Sequence, residues 1–179
     1  MTAPQSGHVP RSRRSWARFY AVQTLYALEI TGAADAEAAM DSCLAGNASD
    51  GKPPRLDEDF FRALTRGVHG EASQLDAMMA PILSRRGTER RPEHLLAILL
   101  RGGAWEILHC GETDVAVVVN EYLNLAHYFG IAPGTSLLNA TLKAVARAHR
   151  EGYGDGDGDG DGDGDNGDSD SDGGGDVVK

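Results

Sequence analysis

Arg11-Ser-Arg-Arg-Ser-Trp-Ala-Arg-Phe-Tyr-Ala-Val-Gln-Thr-Leu-Tyr-Ala-Leu-Glu-Ile30 is the stretch around which the chain reads as organised. Arg11, Arg13, Arg14 and Arg18 open it, and no acidic residue occurs before Glu29. The apolar residues behind them keep helical spacing. Ala17, Ala21, Leu25 and Leu28 make one stripe; Trp16, Phe19, Tyr26 and Ile30 make another, with Gln23 among them. A helix apolar nearly all round is expected to be buried on more than one side. Ser12 or Ser15 can cap it by offering a hydroxyl to the free amides of the first turn, and Gly32 ends it. A basic head on a buried helix suits the task of holding a nucleic-acid backbone against a folded body.

Downstream the helical period persists. A short Ala-rich helix is expected over about Asp35 to Leu44, followed by a loop from Gly46 to Arg55, rich in turn residues. After Asp57, a capping residue, Phe61, Leu64, Val68, Ala72, Leu75, Met79 and Ile82 keep the spacing of one long buried stripe. Gly67 and Gly70 predict a kink or break in the middle of that run, and Pro81 another near its end. Ser84 to Pro92 is a polar connection carrying Arg85, Arg86, Arg90 and Arg91, and Pro92 suits the first turn of the next helix. Leu95 to Leu108 is strongly apolar, interrupted by Gly102 and Gly103. Glycine inside a helix costs about 1 kcal/mol against alanine, so the pair predicts a close helix–helix approach. Asp114 caps a helix from Val115 to Phe129, Gly130 terminates it in the left-handed conformation, and Thr135 or Ser136 caps a last helix to about Arg150. Val115 to Val119 alone looks strand-like, but it runs straight into the helical Asn120 to His127. The fold class is therefore all-α, a compact bundle of about seven helices.

Charge divides the chain. The net charge of −10 and the pI of about 4.9 belong to the C-terminus. Residues 151–179 hold ten Asp, one Glu and one Lys, which leaves residues 1–150 neutral with a basic head. The acidity therefore does not argue against a nucleic-acid partner. Residues 1–10 read as a mobile arm, 11–150 as a single domain, and 151–179, an Asp-Gly-rich tail with nothing to bury before Val177, as disordered. Deletion of residues 152–179 is accordingly expected to leave the thermal melt nearly unchanged. Asp155-Gly-Asp-Gly-Asp-Gly160 resembles half of an EF-hand loop, but its twelfth position is Asn166 rather than glutamate. The tail reads as solubilising; competition with RNA for the arginines is the alternative.

Catalytic chemistry finds no foothold. The six histidines are scattered, and no metal-ligand spacing, Ser/His/Asp grouping or cofactor motif occurs. No enzyme activity, no metal and no cofactor are expected. Cys43 and Cys110 form no C-x-x-C pair and read as reduced thiols of a cytoplasmic protein. No apolar run approaches the roughly 18–20 residues of a membrane span, and no secretory signal is expected.

Arg11, Arg14 and Arg18 fall on one side of the first helix if the helix reaches back that far, with Arg13 beside them. Guanidinium groups spaced in this way can follow successive phosphates; a solvated basic terminus is the alternative. Gln23 and Tyr26 offer an amide and a phenol that can bind splayed bases; periodicity alone favours Tyr26 as core with its hydroxyl at the rim.

Several segments together resemble the NusB family. They are Ala17-Arg18-x-x-Ala21-Val22-Gln23-x-Leu25-Tyr26; Phe61-x-x-Leu64-x-x-Gly67-Val68 with Leu75-Asp76 and Pro81; Leu99-Leu100-Arg101-x-x-x-Trp105-Glu106-Ile107-Leu108; and Val117-Val118-Val119-Asn120-Glu121-Tyr122-Leu123-x-Leu125-Ala126 followed by Phe129-Gly130. Their order and spacing match across about Arg14 to Arg150. The resemblance implies two helical subdomains and binding to boxA-type single-stranded RNA of ribosomal RNA leader transcripts. It implies partnership with the ribosomal protein acting as NusE, and entry into the RNA polymerase elongation complex through other Nus factors, which suppresses premature termination. The resemblance points to Arg18, Gln23 and Tyr26, with Asn139 retained, as RNA-binding positions; with Arg11, Arg13 and Arg14 of the basic head they make the candidate RNA-binding set, and Glu121 is the candidate partner contact. Arg14→Ala and Arg18→Ala are each expected to flatten the salt dependence of RNA binding.

The departures from the family pattern predict a weaker grip. Ser15 and Trp16 stand where the family often has arginines, Leu137 replaces an aromatic residue in the last helix, and Pro133 replaces an acid before it. These keep open a protein-interaction module of the same fold with weakened or lost RNA binding. An rRNA methyltransferase with an N-terminal domain of this type is the enzyme alternative. It needs a long α/β domain, which a chain ending in an acidic tail at Lys179 is not expected to supply.

Overall fold

The computed structural model describes residues 10–48, 55–85, 92–131 and 134–154. Among them are seven helices and no strand: α1 (Arg13–Thr31), α2 (Ala36–Gly46), α3 (Glu58–Gly70), α4 (Ala72–Ser84), α5 (His94–His109), α6 (Val115–Tyr128) and α7 (Thr135–Gly154). The all-α expectation holds, strand-like Val115–Val119 included. The mobile arm before Pro10, the acidic run from Asp155 onward and Pro133 lie outside the described residues.

Local chemistry sets most helix ends. Ser12, rather than Ser15, caps α1: its hydroxyl accepts from the Ser15 amide at 2.9 Å. Asp35, Asp57 and Asp114 cap α2, α3 and α6 through their carboxylates. Gly32 and Gly130 close α1 and α6 at φ of 67° and 75°, where a Cβ would be strained. After α6 the Ile131 amide reaches Ala126 O at 2.8 Å and the Gly130 amide reaches His127 O at 3.1 Å, the paired bonds of a Schellman turn. Thr135 and Ser136 both lie inside α7 rather than ahead of it, and that helix runs on to Gly154, past the expected end at Arg150. Asp57→Ala is expected to cost about 1 kcal/mol in a urea denaturation curve.

The long apolar run after Asp57 breaks at Glu71, between α3 and α4, as Gly67 and Gly70 predict. Pro81 does not break α4, which continues to Ser84. A proline there removes one backbone bond to Ala77, and both residues are exposed, so water can serve that carbonyl.

The organising element is α5 and not the opening stretch. Every residue from Leu96 to Ile107 is buried, because α5 packs against α1, α3, α4, α6 and α7. On one side α1, α2 and α3 pack together; on the other, α5, α6 and α7 do, with α4 against α5 and α7. These are the two helical subdomains, and α5 joins them. Its glycines permit the approach. A Cβ on Gly102 would lie 2.8 Å from the Tyr122 ring, and one on Gly103 would lie 2.6 Å from Leu142 Cδ1.

Candidate nucleic-acid interface

Because α1 begins at Arg13, Arg11 precedes the helix and shares no helix side with Arg14 and Arg18; the side that carries those two faces the protein. Arg18 is 3 % exposed. Its Nε donates to Glu106 Oε2 at 2.9 Å, its Nη2 donates to Glu106 Oε1, and its Nη1 reaches Glu121 Oε2 at 3.3 Å. Glu106 is fully buried and Glu121 is 25 % exposed. Burial would by itself lower the Arg18 pKa; the hydrogen bonds and charge of Glu106, helped by Tyr122 and Glu121, outweigh it and hold the guanidinium above its ordinary value. The same surroundings push the Tyr122 phenol well up, first by burial and then by the Glu106 charge, so it stays neutral. Arg18 therefore ties α1 to α5 and α6 and is not presented to a ligand. Glu121, the candidate partner contact, is an Arg18 ligand.

Arg14 is half-buried and engaged. Its Nη2 donates to Glu112 Oε1 at 3.0 Å and its Nη1 to Thr113 Oγ1 at 3.2 Å, and its guanidinium stands 4.4 Å from the centre of the Phe60 ring. Arg13 is exposed yet donates twice to the Leu56 carbonyl, at 3.0 and 3.2 Å. Arg11 is exposed. The arginine head thus divides into Arg18 and Arg14, which face structure, and Arg11 and Arg13, which face solvent.

Gln23 and Tyr26 are both exposed, Tyr26 at 42 %, so it is not core. At 100° per residue they lie about 140° and 80° round the helix from Arg18. The two halves of the expected site therefore occupy different faces of α1. Ile30, on the Gln23 side, is 55 % exposed; the second apolar stripe is buried only in its first half. There Phe19 stacks on Phe129 at 5.5 Å and meets Tyr128 and Trp16 edge-on at 5.0 and 5.5 Å. Trp16, Tyr128 and Phe129 are each half-buried. The outer face of α1 is thus a half-open aromatic cluster that continues into Gln23, Tyr26 and Ile30. Asn139, half-buried on α7, sits apart from it in sequence and on another helix.

A second charged group was not anticipated. Arg101 holds Asp76 with two bonds of 2.7 Å and reaches Glu29 at 3.1 Å, and Glu29 also meets His94 at 2.8 Å. It lines a cleft of about 290 Å³ with Leu28, Glu29, His69, Ser73 and Asp76. The signal was present for both networks: Arg18, Arg101 and Glu106 each interrupt an apolar run, and a charge in such a run needs an opposite partner. Among the described residues no His, Cys, Asp or Glu cluster has metal-binding geometry, and no helix is long and apolar enough to cross a membrane. Cys43 and Cys110 are free, and burial raises both thiol pKa values.

These elements have relatives. A sequence profile described as the NusB family matches residues 15–147. The chain is 36 % identical over 148 residues to the transcription antitermination protein NusB of Rhodopseudomonas palustris, covering 81 % of this chain and 85 % of that one. It is 36 % identical over 152 residues to the protein of the same name from Bartonella tribocorum, covering 82 % and 97 %. The solved structure of T. maritima NusB superposes with a TM-score of 0.64 at 19 % identity, over 80 % of this chain and 98 % of that chain. That likeness speaks for the helical fold, and the sequence matches speak for descent. With the profile spanning α1 to α7 and both relatives aligned over four-fifths of its length, the chain belongs to the NusB family.

Proposed function

We propose that the protein is a cytoplasmic transcription antitermination factor. It binds boxA-type single-stranded RNA of ribosomal RNA leader transcripts together with the ribosomal protein acting as NusE. Through other Nus factors it joins the RNA polymerase elongation complex and suppresses premature termination. It works by binding, with no catalytic step and no cofactor. The relatives' name, transcription antitermination protein, supports the broad role. The observation that carries the RNA reading is the exposure of Gln23 and Tyr26 beside the half-open aromatic cluster. A hydrogen-bonding amide and a stacking ring, with no core role to explain them, suit unstacked bases. Arg11 and Arg13 supply phosphate contacts. Arg18 serves the fold, which replaces the sequence expectation of a direct contact.

Fluorescence anisotropy with a labelled boxA-type strand, with and without the NusE partner and across salt, tests this. Log affinity is expected to fall linearly with log salt, and the double variant Arg11→Gln/Arg13→Gln to flatten the slope by about 0.7 per lost contact. Tyr26→Ala is expected to weaken binding by about 1–3 kcal/mol, roughly 5- to 150-fold, with the slope unchanged. Affinity that is absent or independent of salt, with the partner present, would overturn the RNA reading.

One observation favours the second reading, a protein-interaction module with weakened RNA binding: two of the four head arginines are already held by carboxylates. In that case the NusE partner binds and the RNA adds nothing to the complex.

A further inference from the structure

The last helix carries a line of cations that the interface on α1 does not use. Lys143, Arg147 and Arg150 are all exposed. They stand at i, i+4 and i+7, which keeps them within about 60° of one another and spreads them over about 10 Å of helix. The one acid of α7 is Glu151, next to Arg150 at the end of the line. Elsewhere most helical arginines are answered by carboxylates: Arg62 meets Glu37, Asp41 and Glu58, Arg66 meets Glu37, Arg101 meets Asp76 and Glu29, and Arg14 and Arg18 have their own, while Arg13 donates to the Leu56 carbonyl. Among the described residues no carboxylate pairs with Lys143, Arg147 or Arg150, and Arg147 Nε donates to the Lys143 carbonyl at 3.5 Å.

Two simpler accounts fall short. Cations favour a helix C-terminus, but that effect fades beyond the last turn, and Lys143 and Arg147 lie well before the end at Gly154. Solubility does not require them in a chain whose net charge is already −10. A regularly spaced polyanion does match the line, because guanidinium groups bind phosphates with two bonds and lysine adds a point charge. The line also has a direction. Asn139 lies one turn before Lys143 on the same side of α7, and α7 follows the end of α6, where Tyr128 and Phe129 meet Phe19 of α1.

We infer that Lys143, Arg147 and Arg150 form a phosphate track along α7 that holds the flank of the bound RNA beyond the segment gripped at α1. The track rests on the RNA reading of the α1 face. It binds backbone and carries no sequence preference.

The test uses the full chain, so the acidic tail is common to every arm. Two labelled single-stranded RNAs, a short boxA-type strand and the same strand extended at both ends, are titrated with wild type and with Lys143→Gln/Arg147→Gln/Arg150→Gln. The extended strand is expected to lose about 2 from the slope of log affinity against log salt, at about 0.7 per contact for single strands. The short strand is expected to bind both proteins alike. Arg147→Lys/Arg150→Lys keeps the charges and is expected to keep the slope. The positions are exposed, so the melting curve should not move. If the triple variant binds the extended strand with the wild-type slope, the track is wrong and the α1 interface stands. If wild type binds neither strand, even with the partner, both fail.

Discussion

Glu106→Gln is expected to destabilise the protein by about 3–5 kcal/mol, the cost of leaving one member of a buried ion pair without its partner. Arg18 and Glu106 are 3 % and 0 % exposed, so solvent does not screen the loss. Glutamine keeps the size and one acceptor, but the guanidinium would face only Glu121 with full charge. A domain of this size has about 5–15 kcal/mol in total, so the variant should unfold at markedly lower urea and temperature. The converse separates charge from packing. Arg18→Met/Glu106→Leu removes both desolvated groups and should recover most of the loss, because a buried pair contributes little net stability over well-packed apolar side chains. Equal destabilisation of the single and double variants would show that the bonds themselves, and not the stranded charge, carry the energy. Arg18→Ala should behave like Glu106→Gln in the melt. Any fall in RNA binding should then track the folded fraction and leave the salt slope as it is.

Gly67→Ala is expected to be the most damaging single methyl in the molecule. An ideal Cβ at that position falls 2.2 Å from Trp105 Cε2 and Nε1. The indole cannot simply swing away. It is nearly buried, its Nε1 donates to Glu71 at 3.2 Å, and it lies against His109 with ring centres 5.0 Å apart. Overpacking typically costs about 1–3 kcal/mol and occasionally more; the gain in helix propensity from glycine to alanine returns about 1 kcal/mol. A net loss of about 2 kcal/mol or more is therefore expected. Gly103→Ala gives the comparison. Its Cβ would meet the flexible methyl ends of Leu142, at 2.6 and 2.8 Å, which can rotate. Denaturation of the two variants side by side checks the order, and a Gly103 variant worse than the Gly67 one would overturn it.

The candidate site was legible unevenly. The family motif marks Gln23 and Tyr26, whereas periodicity alone favours the core for Tyr26, which its 42 % exposure overturns. Phe19 and Tyr26 share a stripe in sequence; Tyr128 and Phe129 of α6 cover the first, and solvent meets the second. The arginine head was read as one group because four like charges in eight residues look alike in a sequence. What separates them is the partner: Glu106 and Glu121 lie about 90 and 100 residues away, within two other helices.

By itself the sequence determined the helical class, most helix ends (those of α7 excepted) and the break between α3 and α4. Those features follow from side chains acting on their own backbone within a turn or two, through caps, glycine conformations and apolar period. It also contained the family. The tertiary structure alone decided that α5, and not the arginine-headed α1, is the centre of the fold, and that Arg18 belongs to the interior while Tyr26 does not. Burial is a property of what packs against a face, and for α1 the packing residues come from α2, α3, α5 and the end of α6. Those elements turn one basic, apolar helix into an inner face held by ion pairs and an outer face open to a ligand.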